Sequence, residues 1–431
     1  MLSLSKLAIL GLGFISQASA VILQNGQVRE TYFPNTRLES FSPSSYRTYP
    51  ANASEISYKG RWDSKYVSWW SAPGIKFGYT GQTVAITFGN LTTDRVLVGY
   101  RIGGLDWIFT NITAGATHLL VSPETPGATL TAGPINPWTF ELRVTNWAYG
   151  IQIDSVHVAK GEKLIKIPDF GRRIEVIGDS LSAGMYTSYE GLSSWAYGLG
   201  AGLGNTEYTV TGYPGICAAD QDCWGNPRGQ VHQWFYTSDT SWRAQPRTMG
   251  LLLPPPADIV IINIGTNDHN SHNNVSTSAY IDALGKIIQG IHGKWPKAQV
   301  IVMSLWLGFY QSGNTYLPNA PEGWVKEIQD LVKWFNSDKY LKEPLVYDGV
   351  TKKTTKLRPR KKETPFVHWF NTKGILQHND MGPQWHPTDV GAIKVASHLQ
   401  EFVRMRFGWE LEATGPEVWH ETEYWNDESG Y

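Results

Sequence analysis

Ser180 follows a short apolar run, and this placement makes its hydroxyl a candidate reactive group. Residues 174–184 read Ile-Glu-Val-Ile-Gly-Asp-Ser-Leu-Ser-Ala-Gly, which predicts a buried strand followed by a tight turn. Because open α/β sheets place their chemistry at the carboxyl ends of strands, Ser180 is a candidate nucleophile. A serine hydroxyl is weakly nucleophilic alone, so this hypothesis requires a general base and donors for an oxyanion elsewhere in the chain.

Three later positions have residue types that suit these roles. Gly215, or alternatively Gly212, follows a predicted strand, where a glycine amide can donate to a closely approaching ligand. Asn267 lies in Gly-Thr-Asn-Asp at the end of another predicted strand, and its side-chain amide is a second candidate donor. His386 precedes a Pro-Thr pair that is typical of a helix start, and it is the candidate base. Together these residues predict nucleophilic acyl transfer.

Two regions of different periodicity must position these residues. Residues 21–166 contain short β-rich runs separated by turn clusters such as 132–137, which predicts an all-β sandwich. Residues 170–407 alternate apolar strands with helical patterns, which predicts a parallel, doubly wound sheet. The last 24 residues, 408–431, are aromatic and acidic and carry no assignment. Strands are predicted at 174–177, 208–211, 257–264 and 299–304, and helices at 195–204, 276–292, 323–335 and 388–405.

The composition narrows the class of partner. The 431 residues carry a formal net charge of −1, so no strong field favours nucleic acid or an anionic membrane. The chain contains 19 Trp, 21 Tyr and 15 Phe. These rings suit aromatic pairs in a β-rich core, and they suit stacking on sugars equally well. The basic stretch 351–362 is interpreted as a solvated loop, with contact to an acidic polysaccharide as the alternative.

The first twenty residues have the pattern of a secretory signal peptide. Lys6 precedes an apolar run at 7–15 that is too short to span a bilayer, and Ala18-Ser19-Ala20 is a small-residue cleavage site. We therefore expect a secreted, extracellular protein that begins near Val21 and has no membrane segment. Export also agrees with four N-x-S/T glycosylation acceptors at Asn52, Asn90, Asn111 and Asn274.

The chain has two cysteines, Cys217 and Cys223. In an oxidising compartment they are predicted to form one local disulfide, with a pair of buried free thiols as the alternative. Two thiols do not make a metal site, and the scattered histidines have no third ligand at a suitable spacing. We expect neither a metal nor a cofactor.

The order of the candidate residues resembles that of the SGNH (GDSL) hydrolase superfamily. Ser180 in Gly-Asp-Ser, Gly215, Asn267 in Gly-x-Asn-Asp and His386 before a proline match the four marks of that superfamily. The resemblance implies that Ser180 attacks an ester carbonyl while His386 accepts its proton. It also implies that the amides of Ser180 and Gly215 and the Asn267 side chain hold the oxyanion.

The β-rich region adds a looser similarity to carbohydrate esterase family 2. The similarity rests on Tyr-Lys-Gly-Arg at 58–61, followed by Trp69, Pro73-Gly74 and Phe77. That family joins a jelly-roll domain to an SGNH domain and removes acetyl groups from plant cell-wall sugars. The resemblance therefore implies a β-sandwich of the jelly-roll type followed by an α/β/α domain with a flavodoxin-like parallel sheet.

One position departs from the superfamily pattern. SGNH enzymes usually carry an Asp three residues before the histidine, or two in some family 2 members, but Pro383 and Gln384 occupy these positions here. Some family 2 members resemble this chain in using a Ser-His dyad whose imidazole is oriented by a backbone carbonyl. We expect the carbonyl of Gln384 or its neighbour to orient His386, with Asp380 as the alternative. Asp389 is expected to cap or open the last helix.

The sequence thus predicts a carbohydrate O-acetylesterase that acts on acetylated polysaccharides of the xylan or mannan type. Trp385 and Trp306 are candidates for stacking on the sugar, and the chain is expected to be monomeric. Two alternatives remain: a GDSL-type lipase or arylesterase, and a carbohydrate-binding protein with a weakened esterase site.

Overall fold

A computed structural model describes the following residues: 21–24, 27–30, 35–103, 105, 107–125, 128, 138–147, 149–237, 255–319, 323–357 and 364–412. The predicted signal peptide, the turn cluster 132–137, residues 358–362 of the basic stretch and the tail from 413 lie outside these residues. In the part of the chain that is described, no helix combines the length and apolarity needed to cross a bilayer.

The first region consists of antiparallel strands. They are β1 (Val21–Gln24), β2 (Gln27–Glu30), β3 (Tyr46–Pro50), β4 (Ser57–Lys59), β5 (Val67–Ser68), β6 (Gly74–Tyr79), β7 (Val84–Phe88), β8 (Val96–Ile102), β9 (Ile108–Ile112), β10 (Thr117–Val121), β11 (Trp138–Val144), β12 (Ile151–Ala159) and β13 (Leu164–Ile165). One sheet has the order β10-β7-β12-β3, with β5 on β12, and the other has the order β13-β6-β11-β8-β9, with β4 on β6.

The two sheets enclose an apolar core. Ile86 and Val156 from the first sheet and Phe77, Phe140 and Leu142 from the second are all buried in one cluster. Phe77 and Phe140 stack with ring centroids 5.0 Å apart, as expected for aromatic cross-strand pairs. The predicted all-β sandwich is confirmed.

The second region alternates strands and helices. Its elements are β14 (Arg172–Asp179), α1 (Ser180–Ala183), α2 (Trp195–Leu203), β15 (Thr206–Tyr213), α3 (Gln230–Gln233), β16 (Ile259–Asn263), α4 (Thr266–His269), α5 (Thr277–Lys294), β17 (Gln299–Met303), β18 (Phe309–Ser312), β19 (Thr315–Pro318), α6 (Val325–Phe335), α7 (Asp338–Lys342), β20 (Leu345–Asp348), β21 (Lys353–Lys356), β22 (Val367–Phe370) and α8 (Asp389–Phe407). The parallel sheet has the order β15-β14-β16-β17-β22.

Helices cover both faces of this sheet. On β16, Ile259 and Ile261 pack with the cluster that contains α2 and α8, while Val260 and Ile262 pack with the cluster of α5 and α6. This alternation follows from the twofold period of a strand. The predicted α/β/α architecture is confirmed, and the predicted helices begin and end close to the observed bounds.

Several elements of the second region were not predicted, among them the β18–β19 hairpin, α7, β22 and the β20–β21 pair. β22 completes the parallel sheet, but its four residues are too few to show a periodicity. The described part of the basic stretch is not simply a loop, because its exposed strand β21 pairs with the half-buried strand β20. Near the tail, the Glu412 amide donates to the Leu203 carbonyl at 3.0 Å, which returns the chain to the end of α2.

A buried arginine joins the two regions. Arg61 is fully buried and donates from Nη2 to Glu175 Oε1 on β14 at 2.6 Å. Its Nη1 donates to the carbonyls of Trp234 and Tyr236. Glu175 Oε1 also accepts from Trp234 Nε1 at 2.7 Å and from Thr211 Oγ1 at 2.9 Å. Arg61 belongs to the Tyr-Lys-Gly-Arg segment, so part of the motif behind the family 2 resemblance forms one of the contacts between the two regions.

Candidate active site

The turn after β14 presents Ser180 at the carboxyl end of the sheet. A Cβ at Gly178 would lie 2.2 Å from Ser182 Oγ and 3.0 Å from the Asn263 carbonyl, so the tight turn requires glycine there. Asp179 is the N-cap of α1 and accepts from the Leu181 amide at 3.0 Å. Ser180 is consequently the first residue of α1, with 7% of its surface exposed.

A strained loop brings His386 to this serine. Gln384 and Trp385 both adopt left-handed backbone angles, with φ of 53° and 58°, at a cost of roughly 1–3 kcal/mol each. The loop places His386 Nε2 2.7 Å from Ser180 Oγ. The other ring nitrogen, Nδ1, lies 3.2 Å from the Gln384 carbonyl and 3.3 Å from the Pro383 carbonyl.

These contacts define the tautomer of His386. A carbonyl oxygen can only accept, so Nδ1 carries the hydrogen and donates it to Gln384 and Pro383. Nε2 is then free to accept from the Ser180 hydroxyl, which is the arrangement a general base needs. Burial lowers the pKa of His386 below its usual 6.5, while the two carbonyls act in the opposite direction. The neutral form is therefore favoured near pH 7.

The pH dependence of hydrolysis should report this lowered pKa. A neutral His386 is required as the base, so the acid limb of kcat/KM should have its midpoint below pH 6.5. The limb should persist in Asp179→Asn, which removes a buried carboxyl whose pKa is raised to about 7. A midpoint above 6.5, or a limb that disappears in Asp179→Asn, would contradict the assignment.

The alternative orienting group, Asp380, is engaged elsewhere. Both of its carboxylate oxygens lie 2.7 Å from Lys394 Nζ, and Oδ2 also accepts from the Gln377 amide at 2.8 Å. Its main-chain carbonyl accepts from Thr388. Asp380 thus ties the loop that carries His386 to α8, and the structure brings the Gln384 carbonyl, rather than this carboxylate, to the imidazole.

Replacing Asp380 distinguishes the two candidate orienting groups. With a carbonyl on Nδ1, Asp380→Asn should lower kcat for p-nitrophenyl acetate by less than about tenfold, whereas losing the carboxylate of a triad costs about 10⁴-fold. The variant should also unfold at a lower temperature, because Lys394 loses its partner. If turnover by a folded variant fell by about 10³-fold or more, Asp380 would instead be the group that orients the base.

The two candidate glycines lie in different places. Gly212 is inside β15 opposite Gly178, where a Cβ would lie 2.6 Å from the Gly178 carbonyl, so its small size serves strand pairing. Gly215 lies in the loop after β15 with φ of 78°. Asn267 Nδ2 donates to the carbonyl of the next residue, Ile216, at 3.0 Å. The structure therefore joins Asn267 to the loop that contains Gly215.

Two buried carboxyl groups support these donors. Asp179 Oδ2 lies 3.4 Å from Asn267 Nδ2, which links the serine turn to the asparagine. Asp268 accepts from the amides of Ala218 and Ala219 at 2.7 and 2.9 Å, which anchors the loop after Gly215. Burial raises the pKa of Asp179 to about 7 and that of Asp268 to about 6. Both residues hold the backbone around the site.

Trp224 and His272 form an exposed aromatic pair beside Gly215 that was not predicted from the sequence. Cys217 and Cys223 form a disulfide, and the following residue, Trp224, is 51% exposed. Its ring stacks on His272 with centroids 4.2 Å apart and an interplanar angle of 13°. A Cβ at Gly215 would lie 2.8 Å from Trp224 Cβ, so the pair is next to this loop. Nothing in the sequence around Cys223 and Trp224 predicts that the Trp224 side chain is exposed.

The two predicted sugar-stacking residues have different surroundings. Trp385 is half-buried against the β18–β19 hairpin, with its ring centroid 5.7 Å from Phe309 and 6.1 Å from Tyr316. Trp306 is buried with Phe370 in the core cluster on the α8 face. Its position therefore favours core packing over an open stacking surface.

The remaining predicted sites lie on the surface or do not form a cluster. Asn52, Asn90 and Asn274 are exposed and Asn111 is half-exposed, so each is accessible to glycosylation, which stays a prediction. Within the described ranges, no three His, Cys, Asp or Glu side chains are grouped in a way that could hold a metal ion. Asp389 opens α8 and accepts from the Ser188 amide at 2.7 Å.

The comparison with known families agrees with this geometry. Residues 176–339 match the GDSL-like Lipase/Acylhydrolase family, a range that includes Ser180, Gly215 and Asn267. The predicted resemblance to the SGNH/GDSL superfamily is confirmed over that range. With the Ser180–His386 contact, the match identifies the second region as an SGNH-type ester hydrolase domain. No curated protein matches the chain in sequence.

Solved structures share the two-domain fold. A family two carbohydrate esterase from Clostridium thermocellum, in complex with cellohexaose, has 17% identity and a TM-score of 0.60, covering 82% of this chain and 99% of that one. A carbohydrate esterase family 2 enzyme from Corynascus thermopiles (Myceliophthora fergusii) has 19% identity and a TM-score of 0.61, covering 82% and 100%. An acetyl xylan esterase from Butyrivibrio proteoclasticus has 14% identity and a TM-score of 0.60, covering 84% and 100%.

Proposed function

We propose that the chain is a carbohydrate O-acetylesterase that removes acetyl groups from cell-wall polysaccharides of the xylan or mannan type. The observation that carries the chemistry is the 2.7 Å contact between Ser180 Oγ and His386 Nε2, with Nδ1 held by the Gln384 carbonyl. This geometry supports a Ser-His dyad. A carbonyl fixes the tautomer, although it stabilises the imidazolium less than a carboxylate would.

The reaction follows from these positions. Ser180 Oγ attacks the ester carbonyl carbon while His386 Nε2 takes the hydroxyl proton. The carbonyl oxygen becomes an oxyanion. Its proposed donors are the backbone amides of Ser180 and Gly215 and the side-chain amide of Asn267. His386 then protonates the leaving alcohol oxygen, which leaves an acetyl-enzyme. A water, deprotonated by the same nitrogen, releases acetate and restores Ser180.

Two observations support a carbohydrate as the alcohol part. The exposed Trp224–His272 pair presents a flat aromatic surface beside Gly215, and such surfaces stack on sugar rings. Two of the structures that share both domains over 99% or more of their own length are described as carbohydrate esterases, and one of them is in complex with cellohexaose. We therefore propose Trp224 as a sugar-contacting residue in addition to Trp385.

Acetate release from acetylated xylan and acetylated mannan tests the proposal. The wild-type chain should release acetate from at least one of them, and Ser180→Ala should release none above background. An unchanged rate in Ser180→Ala would contradict the proposal. Retention on the polysaccharides without turnover of p-nitrophenyl acetate would favour the binding-protein alternative. A series of p-nitrophenyl esters whose kcat/KM rises with acyl length would favour the lipase or arylesterase alternative.

We also propose that the chain is secreted, N-glycosylated and monomeric. Expression of the full-length gene in a eukaryotic host should yield extracellular protein that begins near Val21 and loses mass on treatment with an N-glycosidase. Retention inside the cell would contradict secretion, and an unchanged mass would contradict N-glycosylation. A dimer mass measured by light scattering would contradict the monomeric state.

A further inference from the structure

The loop that carries Gly215 begins at the carboxyl end of β15, an edge strand of the parallel sheet. Tyr213 is the last residue of β15, and its carbonyl accepts from the Ile216 amide at 3.4 Å. Pro214 and Gly215 occupy the two central positions of this turn, and a proline followed by a glycine with φ of 78° is typical of a type II turn. The N–H of Gly215 lies between these two positions, so the placement of Tyr213 sets the direction of that N–H.

A segment of the β-sandwich region covers this edge of the sheet. Ser71 forms an antiparallel bridge with Val210 on β15, and its Oγ donates to the Gly212 carbonyl at 2.8 Å. The adjacent Trp70 stacks on Tyr213, with ring centroids 4.7 Å apart and an interplanar angle of 5°. Trp70 and Ser71 are both buried. The first region therefore contacts the last two residues of β15 before the turn.

On its other side, this end of β15 pairs with the strand that carries the nucleophile. Gly212 lies opposite Gly178, and Tyr213 lies opposite Asp179, the residue before Ser180. A Cβ at Gly212 would lie 2.6 Å from the Gly178 carbonyl, so the two strands are in close contact. The position of the turn relative to Ser180 is thus held from both sides, by β14 and by the β-sandwich region.

Trp70 acts through its ring rather than through its N–H. The indole Nε1 is buried and has no hydrogen-bond partner among the residues that the structure describes. The guanidinium carbon of Arg61 lies 5.7 Å from the centroid of a ring that also stacks on Tyr213. Aromatic pairs have preferred separations and tilts, so a smaller aromatic ring can keep this restraint, whereas an aliphatic side chain cannot.

We propose that Trp70 and Ser71 are positioning residues for the oxyanion donor at Gly215, so that the β-sandwich region is part of the machinery of ester hydrolysis. This inference rests on the proposed hydrolysis at Ser180 and on the Gly215 amide as a donor to the oxyanion. It is independent of the identity of the alcohol part of the ester.

Trp70→Leu in the full-length chain tests the positioning role. The variant should lower kcat and kcat/KM for p-nitrophenyl acetate equally, by about 10–100-fold, because a displaced oxyanion donor is lost only in the transition state. Trp70→Phe keeps a stacking ring and should keep kcat/KM within about threefold of wild type. Ser71→Ala should lower kcat/KM by roughly 3–10-fold, the value of one hydrogen bond.

Inhibition by trifluoroacetone provides a readout that reports on the oxyanion itself. Ser180 Oγ adds to the ketone carbonyl carbon while its proton passes to His386 Nε2, and the carbonyl oxygen becomes the anion of a reversible hemiketal. The donors that hold the oxyanion of the ester reaction also hold this anion. Trp70→Leu should therefore raise the inhibition constant by the same factor by which it lowers kcat/KM.

Lys59→Met is the matched control, because it alters the same contact between the two regions at the other end of β15. Lys59 Nζ pairs with Glu207, the second residue of β15, and with Asp169. Glu207 lies about 20 Å from Tyr213 along the extended strand. The variant should unfold at a lower temperature, but kcat/KM and the inhibition constant should stay at their wild-type values.

The outcomes separate this inference from the proposed function. A folded Trp70→Leu that matches Lys59→Met in kcat/KM and in the inhibition constant would overturn the positioning role. A loss of kcat/KM without a rise in the inhibition constant would also overturn it, because the ring would then act on something other than the oxyanion. If Trp70→Leu does not fold, the same two comparisons on Ser71→Ala decide the question. Failure of the proposed function has a different signature, because full activity would then survive in Ser180→Ala.

Discussion

Ser180→Ala and His386→Ala are each expected to lower kcat for p-nitrophenyl acetate by about 10⁶-fold, the loss typical of removing a nucleophile or its base. The two side chains act as one unit through the 2.7 Å contact between Ser180 Oγ and His386 Nε2. Either substitution therefore abolishes the attack, and the double variant should be no worse than either single one.

Folding controls are straightforward for this pair. Ser180→Ala removes one oxygen from a turn held by Gly178 and Asp179, so the circular dichroism spectrum and the unfolding temperature should stay close to wild type. Losses that multiply in the double variant would mean that the two residues act separately. If folded Ser180→Ala kept more than about a hundredth of the wild-type activity, the serine would have no place in the mechanism.

Arg61→Met is expected to lower the free energy of unfolding by about 3–5 kcal/mol, the usual cost of stranding one partner of a buried ion pair. Arg61 and Glu175 have relative exposures of 0% and 1%, so water cannot replace the lost guanidinium. The Trp234 and Tyr236 carbonyls lose their donor as well. Urea unfolding of the full-length chain measures the change.

Two comparisons make the Arg61 result interpretable. Lys326→Met removes an exposed partner of Asp330 and should leave the unfolding curve unchanged. Adding Glu175→Gln to Arg61→Met neutralises the stranded carboxylate, so the double variant should be more stable than Arg61→Met alone. A loss below about 1 kcal/mol in Arg61→Met would mean that the arginine contributes no more than a surface pair.

The candidate catalytic residues could be chosen from the sequence because several weak signals agreed. Ser180, Asn267 and His386 each lie at the end of a strand or the start of a helix, and their order along the chain is the order found in one superfamily. The loop conformation that brings His386 to Ser180 was not predictable. Left-handed angles at Gln384 and Trp385 run against the preferences of both residue types, and only the surrounding structure enforces them.

The features that the sequence did not predict depend on contacts between residues that lie far apart in the sequence. The ion pair with Lys394 engages the Asp380 carboxylate away from His386, although the position of Asp380 before the histidine suggested an orienting role. β22 forms because β17 offers an edge, and its four residues show no pattern alone. The exposed Trp224 stacks on His272, which lies far along the chain, so the sequence near Trp224 does not reveal this pair.

Labelling with a fluorophosphonate tests the central claim most directly, because the reagent forms a covalent adduct only with an activated serine hydroxyl. Intact mass should show one adduct per chain, and peptide mapping should locate it on Ser180. His386→Ala should lose the adduct, and Asp380→Asn should retain it, since the Gln384 carbonyl orients the imidazole. An adduct on another residue, or an active esterase that takes up no label, would contradict the Ser180–His386 dyad.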